Sequence, residues 1–375
     1  MATKPDRNRV DAPSGPLIST LAHMTTLAAV HGVVPPFRYP QDAITDAFAE
    51  VCLGPGANTE VLRRIHGNTR VKARHLALPL ERYRELADFT EANNAYIEIA
   101  VDLGAQALLG ALESCGLTGS DVDVVIFTTV TGVAAPSIDA RFASRVGLRP
   151  DVKRMPLFGL GCVAGAAGIG RLSDYLVGHP DQVAVLVSVE LCSLTVQRND
   201  RSVANLVASG LFGDGAAAVV AVGSRHRLAG TGPVVLDSVS HLYPDTERTM
   251  GWDVGSSGLN IVLDAHVPEL VQQYLGVDVR TFLAAHELTV EDVGAWVSHP
   301  GGPKVIEAIE DELALPPAAL EMTWRSLAEV GNLSSSSVLH VLHDTLAERP
   351  PTRGTPGLLL AMGPGFCSEL VLLRW

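Results

Sequence analysis

Cys162 is the residue of this chain with the clearest setting for chemistry. Residues 155–158 are apolar and strand-like, residues 159–161 form a Gly-rich turn before the cysteine, and very small residues follow at 163–168. A thiol at a helix N-terminus faces unpaired backbone N–H groups and the positive end of the helix dipole, which favour the thiolate. Because thiolate is the nucleophilic form, this pattern predicts an acyl-accepting cysteine. The alternative is a small buried hydrophobic residue, and partners elsewhere must decide between the two.

Two further residues fit that chemistry. His299 ends an apolar, strand-like segment, and the Pro-Gly-Gly-Pro sequence at 300–303 predicts a turn before the next helix. Asn332 follows a glycine and precedes four serines at 334–337. Taken singly, His299 could be structural and Asn332 a helix N-cap. Cys, His and Asn at three turns that the fold brings together would instead form a catalytic group.

An internal repeat gives a reason to expect them together. Residues 117–122 are echoed about 170 residues later at 288–293, and the Gly-Cys pair at 161–162 matches Gly-Asn at 331–332. The sequence at 213–215 resembles that at 363–365. Three echoes in one order predict a duplicated α/β unit, whose equivalent turns converge at the centre. We expect a flexible N-terminal tail (1–16), an N-terminal half (17–226) and a C-terminal half (227–375).

Composition limits the class of protein. The chain has 375 residues, of which 47% are hydrophobic and 18% charged, and a net charge of −13. This favours a densely packed α/β protein and argues against nucleic acid as a partner. Five scattered cysteines predict a reducing cytoplasm and no zinc site. We expect no membrane span. Helices are predicted at 43–53 and 93–116, and buried strands at 122–129 and 183–190.

The chain resembles a type III polyketide synthase of the chalcone-synthase-like branch of the thiolase superfamily. The resemblance runs from residue 34 to 375 and is carried by the sequences at 161–162, 211–218, 299–303, 331–332 and 363–365. It implies a five-layered αβαβα fold, a homodimer, and an enzyme that acts on CoA thioesters without another cofactor or a metal. The segment 361–370 is most similar to bacterial alkylresorcinol and alkylpyrone synthases.

The resemblance also implies a role for each of the three residues. Cys162 would hold the acyl group of a starter acyl-CoA as a thioester. His299, as imidazolium, would lower the pKa of the thiol. His299 and Asn332 together would form an oxyanion hole for the enolate that decarboxylation of malonyl-CoA produces.

Other site residues are carried over position by position. Phe212 matches a gatekeeper between the CoA tunnel and the reaction cavity, and Ile261 stands where the family has a second, aromatic gatekeeper. Further cavity positions hold Val130, Cys192, Thr195 and Trp252. A small residue such as Cys192 opens an acyl tunnel in long-chain-specific bacterial relatives. CoA phosphates would contact Arg63 and Arg64, in a basic cluster that continues through Arg70, Lys72 and Arg74, and also Lys304.

The sequence thus predicts an enzyme that loads a medium- or long-chain acyl-CoA and extends it with malonyl-CoA, with methylmalonyl-CoA as an occasional extender. The product would be an alkylresorcinol or alkylpyrone. A ketoacyl-carrier-protein synthase III, which condenses once, is the enzymatic alternative. A non-catalytic acyl-CoA-binding relative is the alternative from another class.

Overall fold

A computed structural model describes residues 24–54, 56–198 and 200–375. The predicted flexible tail at 1–16 lies outside the described residues. The described chain folds around a sheet of nine strands in the order β11-β12-β13-β8-β1-β7-β6-β4-β5. Their bounds are β1 Thr25–Val33, β4 Val124–Thr128, β5 Lys153–Leu157, β6 Val183–Leu191, β7 Asp214–Val222, β8 Val234–Leu242, β11 Ala295–Ser298, β12 Pro356–Gly363 and β13 Cys367–Arg374.

Two small sheets and the helices complete the described part. Two small antiparallel sheets pair β2 (Phe37–Pro40) with β3 (Ala73–Leu76), and β9 (Met250–Gly255) with β10 (Gly258–Leu263). The α-helices are α1 Gln41–Leu53, α2 Glu60–Gly67, α3 Phe89–Ser114, α4 Ile138–Val146, α5 Ala164–Gly178, α6 Val203–Leu211, α7 Val267–Ala284, α8 Pro303–Leu313, α9 Glu321–Val330 and α10 Ser337–Glu348.

The layering follows from which helices touch which strands. Helices α5 and α10 pack on each other and on strands of both halves, α5 on β6 and β13 and α10 on β1 and β11. Helices α3 and α4 cover the other face of the first half, while α7 and α8 form the outer layer of the second. The two halves of the sheet meet only where β1 pairs with β8, through Thr25 and Thr26. The predicted αβαβα fold is confirmed.

The echoes found in the sequence correspond to equivalent structures. Residues 119–121 and 290–292 are single 3₁₀ turns, and each begins with a capping box, formed by Thr118 with Asp121 and by Thr289 with Asp292. Each turn leads into a parallel strand, β4 or β11. Likewise, 3₁₀ turns at 161–163 and 334–336 precede the central helices α5 and α10. The boundary at residue 226 stays a prediction; it falls in the connection from β7 to β8.

The predicted helices and strands are present, with ends shifted by a few residues. Helix α3 bears on the expectation of no membrane span. It is long and apolar enough to span a bilayer by length and composition, but over half of its most apolar stretch is buried inside the protein. The helix therefore gives only weak evidence for a span. The apolar residues of α3 pack against β1, β6 and β7.

Candidate active site

The predicted site residues meet in one cavity of about 440 Å³ with a mostly apolar wall. It opens at the ends of strands and helices from both halves, as the duplicated fold predicts. The predicted residues that line it are Cys162, His299, Asn332, Phe212, Ile261, Val130, Cys192, Thr195, Trp252 and Lys304. The fold thus brings together ten of the twelve positions singled out in the sequence; Arg63 and Arg64 lie outside the wall.

Cys162 is buried in the 3₁₀ turn that leads into α5. Gly161 before it has φ +56°, and a Cβ there would lie 2.7 Å from the ring of Pro364, so only glycine fits this turn. The small residues of α5 let the helix pack closely in the centre of the molecule. The Sγ atom of Cys162 lies 3.7 Å from the Oγ atom of Ser334. The predicted setting of the thiol at the start of a buried helix is therefore present.

His299 follows β11 directly, and its backbone is tied in place on both sides. Its N–H donates to the carbonyl of Leu360 at 2.9 Å, and its carbonyl accepts from the N–H of Gly301 at 2.9 Å. The side chain is buried, and its Nδ1 atom has no hydrogen-bond partner within the described ranges. The backbone is thus fixed, and it places the imidazole of His299 in the wall of the cavity.

Asn332 has an oriented side-chain amide. Its Oδ1 atom accepts from the N–H of Ser334 at 2.8 Å, so Nδ2 is on the opposite side, where it donates to the carbonyl of Gly301 at 3.2 Å. An amide nitrogen has two hydrogens, so one remains for a ligand in the cavity that Asn332 lines. The arrangement can donate to a developing negative charge, as an oxyanion hole requires.

Burial affects the protonation of both Cys162 and His299. Burial raises the pKa of the Cys162 thiol to about 12, with the hydrogen bond to Ser334 acting in the opposite direction. Burial also lowers the pKa of His299 to about 3. Burial of both groups therefore acts against the expected ion pair, and the effect of His299 on the thiol stays a prediction. A neutral imidazole, the form that burial favours, is able to accept the thiol proton during attack.

We expect His299→Gln to shift the alkylation of Cys162 by iodoacetamide to higher pH. Without the imidazole the proposed acceptor of the proton is lost, and burial keeps the pKa of the thiol high. The measurement is the rate of Cys162 modification against pH, followed by peptide mass spectrometry in wild type and variant. Superimposable profiles would show that His299 does not act on this thiol.

Phe212 and Ile261 lie on separate elements of the cavity wall. Phe212 is the residue that ends α6, and its backbone forms an isolated bridge with that of Asn332. Ile261 is on β10, directly opposite Trp252 on β9. The hairpin β9–β10 therefore carries an aliphatic and an aromatic side chain into the cavity. The gatekeeper role of both residues stays a prediction.

The basic residues divide into three groups. Lys304 is exposed in the first turn of α8 at the cavity wall. Arg63 and Arg64 are exposed on α2, where Arg63 pairs with Asp46 at 2.5 Å. Arg74 is fully buried, which corrects its place in the surface cluster. A CoA contact therefore stays a prediction for the three exposed residues.

The sequence analysis did not identify the buried polar cluster around Glu190. This fully buried carboxylate accepts from the N–H of Val130 and the Oγ1 of Thr131, each at 3.0 Å, and from Ser335. Burial raises its pKa to about 7. The sequence signal for this cluster was a single acidic residue near the end of a continuous apolar strand. For Ser334, which lies beside the thiol, the only sequence signal was its position two residues after Asn332.

Known proteins provide an independent comparison. The family model of the chalcone and stilbene synthases matches with its N-terminal domain at residues 19–225 and its C-terminal domain at 235–375. The chain is 57% identical over 352 residues to a 1,3,6,8-tetrahydroxynaphthalene synthase of Streptomyces peucetius subsp. caesius, covering 94% of this chain and 93% of that one. It is 35% identical over 320 residues to a putative chalcone synthase of Bacillus subtilis, covering 82% and 87%.

A solved structure agrees with these similarities. The crystal structure of 1,3,6,8-tetrahydroxynaphthalene synthase from Streptomyces coelicolor, a bacterial type III polyketide synthase, superimposes with a TM-score of 0.87 at 30% identity. The match covers 93% of this chain and 99% of the other. The names of these relatives differ from the alkylresorcinol and alkylpyrone synthases expected from the sequence, so the product has to be argued separately.

Proposed function

Since the chain belongs to the chalcone and stilbene synthase family of type III polyketide synthases, we propose that it builds a polyketide on Cys162 by repeated decarboxylative condensation with malonyl-CoA. The observation that supports this best is the shared cavity of Cys162, His299 and Asn332. Because both family domains match and the family is that of the polyketide synthases, the single-condensation alternative is set aside.

The loading step uses the neutral pair. As the Sγ atom of Cys162 attacks the thioester carbon of the starter, its proton passes to the imidazole of His299, which lines the same cavity. The tetrahedral intermediate collapses, CoA leaves as its thiolate, and the imidazolium returns the proton to it. The starter is then a thioester of Cys162, and His299 is neutral again. Burial of both groups in an apolar cavity protects this thioester from water.

The extension step depends on Asn332 and His299. Malonyl-CoA loses CO₂, and the electron pair left behind is delocalised onto the thioester oxygen as an enolate. The Nδ2 donor of Asn332, oriented by the hydrogen bond from Ser334 to its Oδ1, and an imidazole N–H stabilise that oxygen. The enolate carbon attacks the acyl carbon on Cys162 and frees the thiolate. The lengthened chain is then a CoA thioester; the thiolate of Cys162 attacks its thioester carbon, CoA leaves, and the next cycle begins.

For the product, the first candidate is a hydroxylated naphthalene such as 1,3,6,8-tetrahydroxynaphthalene. Within each of its rings the oxygen atoms lie on alternate carbons, the pattern that repeated addition of two-carbon malonyl units leaves. The 57% identity to a synthase named for this compound supports it. The cavity wall also includes the bulky side chains of Phe212 and Trp252, which suits a small starter.

The second candidate is an alkylresorcinol or alkylpyrone made from a medium- or long-chain acyl-CoA. It is supported by the small Cys192 in the cavity wall and by a second cavity of about 180 Å³. Thr131, Thr195 and Val196 line both cavities, so the segment after Cys192 separates the two spaces. An alkyl chain that passed this segment would find room beyond it.

The test is an incubation of the purified protein with labelled malonyl-CoA, alone and with acyl-CoAs from acetyl to stearoyl, followed by mass spectrometry of the products. A naphthol from malonyl-CoA alone supports the first candidate. Long-chain pyrones or resorcinols support the second. Methylmalonyl-CoA is tested as extender in parallel. A product with one added unit only would contradict the proposed iteration.

We expect Cys192→Phe to block extension of long starters while short starters still react. Phenylalanine would fill the space next to the segment that separates the two cavities. The measurement is turnover with acetyl-CoA and with stearoyl-CoA, each relative to wild type. Cys192→Ser, of nearly unchanged size, is the matched control and should retain both activities. Equal loss with both starters in the Phe variant would contradict a tunnel at this position.

The proposal includes a homodimer that works in the cytoplasm with CoA thioesters and without another cofactor. Strand β5 forms one edge of the large sheet and is mostly exposed. Met155 in this strand is 39% exposed, and Phe158, which follows the strand, is 55% exposed. An uncovered edge strand with apolar side chains favours pairing with a second copy.

The five cysteines are free, as a reducing compartment would keep them. Arg63, Arg64 and Lys304 are the proposed contacts for CoA phosphates.

A further inference from the structure

Arg74 is a fully buried guanidinium in β3, with 0% of its surface exposed. An arginine is buried at a high desolvation cost unless its donors are satisfied. Its Nη1 atom donates to the carbonyl of Phe212 at 2.6 Å and its Nη2 atom to the carbonyl of Ser209 at 2.8 Å. Its Nε atom donates to the Oε1 atom of Gln41 at 3.1 Å. All three kinds of nitrogen are thus engaged.

These contacts meet the C-terminal end of α6. The last carbonyls of a helix lack intrahelical partners and form the negative end of its dipole, so a buried cation there is favourable. Gln41, which Arg74 holds, donates through Nε2 to the carbonyl of Gly210 at 2.6 Å. Arg74 and Gln41, hereafter the α6 clamp, therefore satisfy the carbonyls of residues 209, 210 and 212. Burial lowers the pKa of Arg74, and the charge of Asp214 acts in the opposite direction.

Among residues 209–212, only the carbonyl of Leu211 is not bound by the α6 clamp, and this carbonyl connects the clamp to the active site. The carbonyl of Leu211 accepts from the N–H of Asn332 at 2.9 Å, and the N–H of Gly213 donates to the carbonyl of Asn332 at 2.9 Å. In addition, a Cβ on Gly331 would lie 3.1 Å from the side chain of Arg74, so the arginine packs directly against the backbone before Asn332. These backbone hydrogen bonds therefore hold Phe212 and Asn332 next to each other, and Arg74 packs against this part of the backbone.

We propose that Arg74, with Gln41, is a positioning residue that sets the placement of Asn332 and Phe212 for malonyl-CoA decarboxylation and chain extension. Arg74 lies outside the lining of the reaction cavity. It acts through the end of α6, and a shift of this segment displaces the Nδ2 donor and the gate side chain together. Displacement by about 1 Å is enough to cost large factors in rate. The inference rests on the proposed function and adds a second layer of residues to it.

The experiment separates loading from extension in Arg74→Met and Arg74→Lys. Loaded sites are counted as acyl groups on Cys162 by intact-protein mass spectrometry, and turnover is expressed per loaded site. We expect Arg74→Met to load acyl-CoA at about the wild-type rate and to extend about tenfold or more slowly per site, with more of the short, prematurely released product. Arg74→Lys keeps the charge but cannot reach two carbonyls, so its turnover should be intermediate.

A structural role alone would change a different quantity. It would lower the number of loadable sites and the melting temperature, with turnover per loaded site and the product ratio unchanged. Arg325→Met is the matched control, because Arg325 pairs with Asp344 and Glu348 between α9 and α10, away from the cavity. We expect it to lower stability only. Where Arg74→Met fails to fold, Gln41→Leu removes the other half of the clamp and should slow extension about threefold.

A readout without turnover keeps this inference distinct from the proposed function. Amide hydrogen exchange should accelerate in the segments 209–213 and 331–333 of the Arg74 variants and stay at wild-type rates there in Arg325→Met. Unchanged exchange in both segments, or unchanged turnover per loaded site in Arg74→Met, would overturn the positioning role. A wild-type protein that makes no polyketide would instead contradict the proposed function while leaving the exchange result readable.

Discussion

Replacement of Cys162 by alanine is expected to reduce polyketide formation by more than about 10³-fold, below detection in most assays. The thiol is the only proposed attachment point for the growing chain, and alanine leaves nothing for the starter to acylate. Decarboxylation of malonyl-CoA should continue, because His299 and Asn332 are unchanged in the same cavity. The measurement is product by mass spectrometry alongside release of labelled CO₂.

The matched control for this variant is Cys115→Ala. Cys115 is a half-buried cysteine just after α3 and is not part of the cavity wall. Its removal should leave product formation within about twofold of wild type. Normal product from Cys162→Ala would mean that the chain grows on CoA alone and would contradict covalent loading.

Replacement of Asn332 by alanine is expected to slow decarboxylation and product formation by about 10²- to 10³-fold, the usual loss when one oxyanion donor is removed. Acylation of Cys162 should proceed, because the Sγ atom and His299 are retained. The measurement compares the rate of Cys162 acylation with the rate of CO₂ release in the same preparation. A variant that loses both equally would indicate damage to the fold of the site.

Asn332→Asp distinguishes the donor from the shape of the side chain. Aspartate can still accept from the N–H of Ser334, the bond that orients Asn332, but it presents an oxygen where the amide presents Nδ2. We expect it to be as slow as Asn332→Ala or slower, because a carboxylate repels the enolate oxygen. Near-normal activity in Asn332→Asp would contradict an oxyanion hole at this position.

The sequence predicted the fold and the three central residues because their signals are local and repeated. The capping boxes at Thr118 and Thr289, and the turns before α5 and α10, each depend on a few neighbouring residues. An internal repeat then implies that equivalent turns converge, which places Cys162 and Asn332 in one cavity. The predicted ends of α3 differ from the observed ends by a few residues. The helix begins where the side chain of Asp88 accepts a hydrogen bond from the N–H of Glu91, and this cap was not predicted.

The missed features depend on packing between distant segments. Arg74 lies in a basic run that is typical of a surface, and only the approach of α6 supplies the carbonyls that allow its burial. The effect of burial on the pKa values of Cys162 and His299 has the same origin. A helix dipole can be inferred from sequence, but the burial that raises the pKa of the thiol is a property of the assembled cavity. The buried polar cluster around Glu190 joins side chains from three segments that are far apart in the chain.

The central claim is that one chain grows by several units on Cys162. Its most direct test is rapid quenching of the protein during turnover with malonyl-CoA and a starter acyl-CoA, followed by mass spectrometry of the peptide that contains Cys162. We predict a series of adducts on this cysteine that differ by successive ketide units, and none in Cys162→Ala. An unmodified Cys162 peptide in a sample that accumulates product, or the starter adduct alone with a product extended once, would contradict the claim.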